Sequence, residues 1–304
     1  MYTIKHTPED FIVTEISTLK FAERGNHTYF TLKKKNYSHH KAIEAIASKL
    51  RIRPSDISYA GIKDKKAITE QTCSAPRISR EAINTLNIID IELCFKGYGA
   101  EPIHLGQLEG NEFKIVVRNL DSIPSIKSAF HNLFGEQRFS ERNADIGKHI
   151  IKREFEQAAR ILSEEYPAMK PFIEAKNHLA ALRKIPRKLL IFYIHAYQSK
   201  LWNKAAMMTK KDTLPIVGFG TTELDEATRT VLAEESLKPV DFIIREFPEI
   251  SAEGSERTTW AEAKNLQIGN LENDEFFSGK KKVTLTFFLQ KGSYATEFIR
   301  QNFI

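Results

Sequence analysis

The chain has 304 residues, 41% apolar and 28% charged, so it has the material for a sizeable core, about two domains by length, and is not a disordered or low-complexity polymer. Lys and Arg number 45 against 39 Asp and Glu, and the resulting charge of +6 permits a nucleic-acid partner without establishing one. Cys73 and Cys94 fit neither a zinc motif nor a disulfide framework, and neither a signal-peptide pattern nor an 18-residue apolar run occurs, so a reducing, cytoplasmic location without a membrane span is expected.

Phe11–Glu15 and Thr28–Leu32 are rich in β-branched and aromatic residues and read as strands. Ser38 can cap a helix running to about Leu50, with Ala42, Ile43, Ile46 and Leu50 at helical spacing. Pro54–Asp56 opens a short helix before Tyr59-Ala-Gly61. Phe113, Ile115 and Val117 alternate with Lys114, Val116 and Arg118, the pattern of a half-buried strand, and residues 121–133 read as helix. From about Asn143 to Met208 the pattern is helical. Phe155, Ala158, Ala159 and Leu162 share a face, and Arg187–Met208 contains neither Gly nor Pro. Leu214–Gly218 is a break or a short strand, and residues 226–275 are acidic and mixed. Val283, Leu285, Phe287 and Leu289 alternate as a strand, and Lys291–Arg300 reads as a turn into a short helix. A β-rich beginning and end thus flank a helical middle, which a domain inserted into another would explain.

The densest stretch is Tyr59–Gln71, where Asp64 sits among Lys63, Lys65 and Lys66. An anionic carboxylate repels phosphate, so its place in a basic run makes sense if the acid itself reacts. The plainer reading is a turn Asp beside solvated lysines. Residues 60–71 resemble the signature of the TruD family of pseudouridine synthases, roughly A-G-x-K-D-x-x-A-x-T-x-Q, at every fixed position. Lys5–Glu15 is similar to the family's opening K-x-x-P-E-D-F-x-V-x-E. Gly110–Phe113 with Arg118 resembles G-N-x-F and its trailing Arg, and Asn132–Phe139 resembles N-Y-F-G-x-Q-R-F. Ala196–Ser199 with Asn203 resembles A-Y-Q-S-x-x-x-N, and Gly292–Thr296 resembles G-S-x-A-T. The resemblance covers nearly the whole chain. Leu133 and Ser140 depart from it where Tyr and Gly are usual, and residues 209–275 match least.

The resemblance implies an α+β fold, with an antiparallel-sheet catalytic domain from residues 1–145 and 276–304 and a mostly helical inserted domain from residues 146–275. It implies isomerisation of uridine to pseudouridine in tRNA, at position 13 or a related site, with base flipping. Asp64 would be the catalytic aspartate, acting at C6 of the base, at C1′ of the sugar, or through a glycal. Phe113 would stack on the base, Asn111 would fix the carboxylate, Lys5 would pair with Asp64, Lys63 would face the substrate, and Arg138 would fork a phosphate or carboxylate. Gln137 and Phe139 flank that arginine. A cleft between the two domains, faced by Asp64 and Arg138, would take the RNA. No cofactor and no metal are implied, the partner is tRNA, and a monomer is compatible with the sequence.

Each role has a plainer counterpart: Phe113 as strand core, Asn111 as a turn residue after Gly110, Lys5 as an exposed lysine, and Arg138 in a surface ion pair. Lys33–Lys35 with Tyr37 and His39, together with Lys63, Lys65, Lys66 and Lys280–Lys282, are candidates for a basic RNA track. His39-His40 lacks metal-ligand companions and reads as solvated or RNA-facing, while Trp202 reads as packing within the inserted domain. No P-loop or G-x-S-x-G occurs, and Gly218-Phe-Gly220 is too little for a dinucleotide fingerprint. Two rival classes remain: a binding module of the same fold acting as an RNA chaperone, and a methyltransferase, which would require a methyl donor.

Overall fold

The structure is a computed structural model that describes residues 2–139 and 142–303; the Ser140 departure and the side chain of Gln137 lie outside the described residues. In chain order the elements begin with β1 (Phe11–Ile16), β2 (His27–Lys35), α1 (His39–Leu50), β3 (Ser58–Tyr59), β4 (Ile68–Pro76), α2 (Arg80–Asn84), β5 (Ile91–Gly99), β6 (Gly110–Leu120) and β7 (Ala129–His131). There follow α3 (Asn143–Ile151), α4 (Phe155–Ser163), α5 (Lys170–Glu174), α6 (His178–Leu182), α7 (Arg187–Ala206), β8 (Thr213–Ile216) and α8 (Glu226–Glu234). The chain continues through β9 (Ser255–Thr258), β10 (Trp260–Glu262), β11 (Lys264–Ile268), β12 (Glu272–Asn273), β13 (Lys281–Gln290) and α9 (Ala295–Asn302). Two compact units result: Met1–Ala129 with Glu262–Ile304, and Phe130–Ala261. The divisions fall at 129/130 and 261/262 rather than at 145/146 and 275/276. Asn132 and Phe134 explain the earlier first division, because they are tied to Arg257 and Asn203 inside the second unit.

The first unit is built on a mostly antiparallel sheet in the order β11-β13-β6-β1-β4-β2-β5, with β12 on β13 and β3 on β4. One pair, β1 with β4, is parallel. Period-2 alternation places Phe30 and Leu32 of β2 and Cys73 and Ala75 of β4 on one face, where they bury Ala42, Ile43, Ile46 and Ala47 of α1. Ser38 precedes α1, though its side chain makes no capping hydrogen bond, and the helix closes at Arg51, a left-handed residue at φ 56° whose N–H returns to the last turn. Toward the other edge α9 lays Phe298 on Phe287 of β13, with ring centroids 4.6 Å apart.

Residues 121–133 are not a helix. Pro124 interrupts the segment, the backbone of Lys127 is bound on both sides by the Asn302 amide, Ser128 accepts from Ala263 N–H, and β7 follows. Partners distant in sequence claim these backbone groups, which overrides a local helical spacing.

Buried charge also holds this unit together. Arg118 of β6 grips Asp10 with two nitrogens at 2.8 and 2.9 Å, and reaches Asp274 at 3.0 Å and Glu275 at 3.1 Å. Asp10 belongs to the P-E-D-F stretch and Arg118 trails G-N-x-F, so two of the quoted motifs meet in one bidentate pair.

The second unit is described by itself. Helices α3–α8 dominate it, with the β8–β9 ladder alongside. Gly147 of α3 lets α7 approach so closely that a Cβ there would lie 2.0 Å from the Tyr193 carbonyl. Trp202 is buried on α7 as a packing residue, its indole N–H donating to the Leu214 carbonyl at 3.3 Å. Among the described residues no helix is long and apolar enough to cross a membrane.

Candidate active site

Sheet register assembles the floor of the site from five strands. Val13 of β1 pairs with Phe113 of β6, Phe113 with Phe287 of β13, Val13 with Thr69 of β4, and Thr69 with Lys34 of β2. The adjacent row pairs Leu289 with Asn111, and Asn111 with Glu15. Alternation therefore puts Phe113, Asn111, Glu15, Thr69 and Lys34 on the face that also carries α1 and α9.

Asp64 lies in the loop between β3 and β4, and three of that loop's carbonyls are held. Gly106 N–H donates to Ala60 O at 2.8 Å, the Gln71 amide to Gly61 O at 3.1 Å, and the Lys34 ammonium to Asp64 O at 2.5 Å. The Asp64 side chain remains about a third exposed (34%). Its Oδ2 is 3.3 Å from Lys5 Nζ, and the same ammonium stands 4.1 Å from the centre of the Phe11 ring. Phe11 in turn meets Phe113 edge-on at 6.0 Å. Lys5, Asp64 and Phe113 are thus linked by direct contacts across β1.

Phe113 itself is 9% exposed and stacks on Phe287, with centroids 5.5 Å apart at 24°. It is both a strand core residue and part of an aromatic platform. Asn111 Oδ1 is buried with no hydrogen-bond partner among the described residues. Lys63 does not reach Asp64. Its ammonium is buried in an ion pair with Glu15, whose other oxygen accepts from Thr72 N–H at 3.3 Å. Lys5 thus meets the Asp64 carboxylate and Lys34 its carbonyl, while Lys63, next to it in sequence, turns to Glu15.

The basic track needs correction. Lys34 is 1% exposed and faces inward, so Lys33–Lys35 is not one solvated strip. Burial pushes the Lys34 ammonium down to about 8, against the pull of Asp64, with Lys63 pushing the same way as burial. Lys33 pairs with Glu92 and Lys35 with Glu9, while Lys280, Lys281 and Lys282 meet Asp121, Asn273 and Glu275. His39 is neither solvated nor RNA-facing: it is 3% exposed, packs edge-on against Tyr59 at 4.2 Å, and finds no hydrogen-bond partner for either ring nitrogen among the described residues. Burial, with Lys34 nearby, pushes that imidazole down to about 4, so it is neutral.

Arg138 belongs to the second unit. Its guanidinium lies over the Phe134 ring at 5.0 Å and its buried Nε has no hydrogen-bond partner among the described residues, so no surface ion pair accounts for it. Phe134 is clamped by Asn203, which accepts from Phe134 N–H at 2.8 Å and donates to its carbonyl at 2.9 Å. Arg257 donates to Asn132 O at 2.7 Å and covers the Phe134 ring at 4.1 Å. The 132–139 and 196–203 motifs thus meet within one unit.

Lys34, Glu15 and Gln71 were not singled out individually by sequence reasoning. Glu15 and Gln71 close two of the quoted motifs, and Lys34 continues the inward spacing of Phe30 and Leu32; that period was the available signal.

An α+β protein with a mostly antiparallel sheet, carrying a lysine-held aspartate on a braced loop, is the class these features define. The family model for tRNA pseudouridine synthase D (TruD) matches residues 2–171 and 206–302, and the chain belongs to that family. A relative from Thermococcus onnurineus assigned as tRNA pseudouridine synthase D is 33% identical over 261 residues, covering 70% of this chain and 62% of its own length. The tRNA pseudouridine synthase D of Aquifex aeolicus is 32% identical over 248 residues, covering 66% and 64%. The chain thus spans about three-fifths of the length of those two relatives. A Nanoarchaeum equitans relative with the same assignment is 29% identical over 375 aligned positions, covering 99% and 98%. The crystal structure of a Methanosarcina mazei protein assigned as TruD shares the fold at a TM-score of 0.79 and 24% identity, over 98% of this chain and 92% of that one.

Proposed function

We propose that this protein isomerises uridine to pseudouridine in tRNA, at position 13 or a related site, with Asp64 as the reacting acid. The observation that carries the reading is the Asp64 carboxylate, held 3.3 Å from Lys5 on a loop braced at three carbonyls beside an aromatic platform. In this reaction the C1′–N1 bond breaks, the base turns, a C1′–C5 bond forms, C5 gives up its proton, and the freed N1 takes one up. Atoms are conserved and no electrons are exchanged, so the chemistry needs no cofactor. Asp64 assists by adding covalently to base or sugar, or by shaping a glycal route, which divides one difficult step into easier ones. The base must leave its stack, at a cost of a few kcal/mol. Phe113, backed by the buried Phe287, supplies the apolar contact for it, and Asn111 Oδ1 is an acceptor suited to the N3–H of uracil. Arg138, preset over Phe134, suits a tRNA phosphate.

The test is to incubate bulk tRNA with the wild type and with Asp64→Ala and to map pseudouridine by position. The wild type is expected to form it at one or a few sites, and the variant to bind tRNA without forming any. Pseudouridine made at an undiminished rate by Asp64→Ala would overturn the reading. A wild type that binds tRNA and forms none would leave only a binding module.

A further inference from the structure

Lys34 stands where the inward spacing of β2 calls for an apolar side chain, after Phe30 and Leu32. Its register partners are Thr69 on β4 and Ile91 on β5. An ammonium buried this far is costly unless it is paired or hydrogen-bonded, and the acceptor it reaches is the main-chain carbonyl of Asp64 at 2.5 Å. With Gln71 on Gly61 and Gly106 on Ala60, Lys34 completes a set of three hydrogen bonds to carbonyls of the 60–64 loop. The charged and titratable groups facing it are Asp64 and Lys63 from that loop and His39 from α1, the last being neutral. Lys5 engages the same aspartate through its carboxylate.

We propose that Lys34 is a positioning residue for the reaction proposed above: its buried ammonium clamps the Asp64 peptide and so presents the carboxylate to the substrate. The inference rests on that reaction. A misplacement of about 1 Å at a reacting group can cost roughly 10²-fold in rate, which is the scale of the expected effect. Because the ammonium is pushed down to about 8, the clamp loses its charge within an accessible pH range. A lysine whose folded value lies below its unfolded one makes the fold more stable, not less, as pH rises from about 8 toward 10.5. Loss of rate in that window therefore reports the clamp and not unfolding by this residue.

The experiment measures pseudouridine formation in tRNA by the wild type and Lys34→Met from pH 6 to 10. The variant is expected to lose about 10- to 100-fold in kcat with KM for tRNA within about twofold. The wild-type rate should decline above about pH 8, and the variant should lack that decline. Unchanged kcat, or an alkaline decline kept in the variant, overturns the proposal. Should Lys34→Met fail to fold, NMR of the 13Cε-lysine-labelled wild type supplies the answer. One lysine should titrate near pH 8, and Asp64→Asn should move its midpoint lower because the carboxylate's attraction is gone; no such lysine, or a midpoint indifferent to Asp64→Asn, overturns it. A wild type inactive on tRNA would sink the reaction, with the NMR arm still deciding the clamp. An active wild type with a fully active Lys34→Met would sink the clamp alone.

Discussion

Lys5 shows how one side chain serves two neighbours: it adopts a left-handed backbone at φ 55°, sets its ammonium over Phe11, and still meets Asp64. A non-glycine residue in that region is held there by its surroundings. His39 is the opposite case, a buried imidazole with no hydrogen-bond partner for either nitrogen among the described residues. Its folded value of about 4 lies below the usual 6.5, so the unfolded chain binds the extra proton between those limits. Its contribution is full above about pH 6.5 and is lost as pH falls toward 4. His39→Phe keeps a ring against Tyr59 and removes two unsatisfied nitrogens, and at pH 5 it is expected to stabilise the protein by about 1 kcal/mol or more. Melting curves from pH 4 to 7 check this; the variant should show a flatter acid limb than the wild type, and an identical limb would assign the effect to other groups.

At the level of elements, local pattern succeeds where an element's own alternation matches the face it buries. The alternating run from Val283 to Leu289 forms β13, and the residues spaced helically after Ser38 form α1. It fails at 121–133, where the Asn302 amide and the 263 backbone draw the chain into an extended path. The clamp of Asn203 on α7 around Phe134 is an element-scale device, since one amide satisfies both backbone groups of a loop residue 69 positions away. Asn203→Leu removes both bonds and leaves two polar groups unmatched, so a loss of about 2–4 kcal/mol is expected. Urea unfolding, with its midpoint read at matched m-value, measures it. A shift worth under about 0.5 kcal/mol would show that the loop is held by its arginines alone.

For the molecule as a whole, the sheet depends on segments far apart in the chain. β13 lies between β11 and β6, and Arg118 joins Asp10 to Asp274 within the first unit. Removing one partner of such a buried network leaves uncompensated charge. Arg118→Met strands Asp10 and Asp274 and should cost about 3–5 kcal/mol, and at pH 7 it should lower the denaturation midpoint more than any surface lysine change. A smaller loss for Arg118→Met than for Lys280→Met, which breaks an exposed pair with Asp121, would contradict this.

The sequence by itself determined the class of fold, the principal strands and helices, the family, and Asp64 as the residue to examine, because alternation and contiguous motifs are properties of neighbouring residues. Only the tertiary structure decided which cations serve that aspartate. Lys63, one residue away, turns to Glu15, while Lys34 and Lys5, 30 and 59 positions away, reach it across β2 and β1. It likewise took His39 and Lys34 out of the solvent. Charge read along the chain assumes that lysines face water, whereas a sheet fixes each side chain's face by parity and each partner by register, and neither is written in the spacing of the charges themselves.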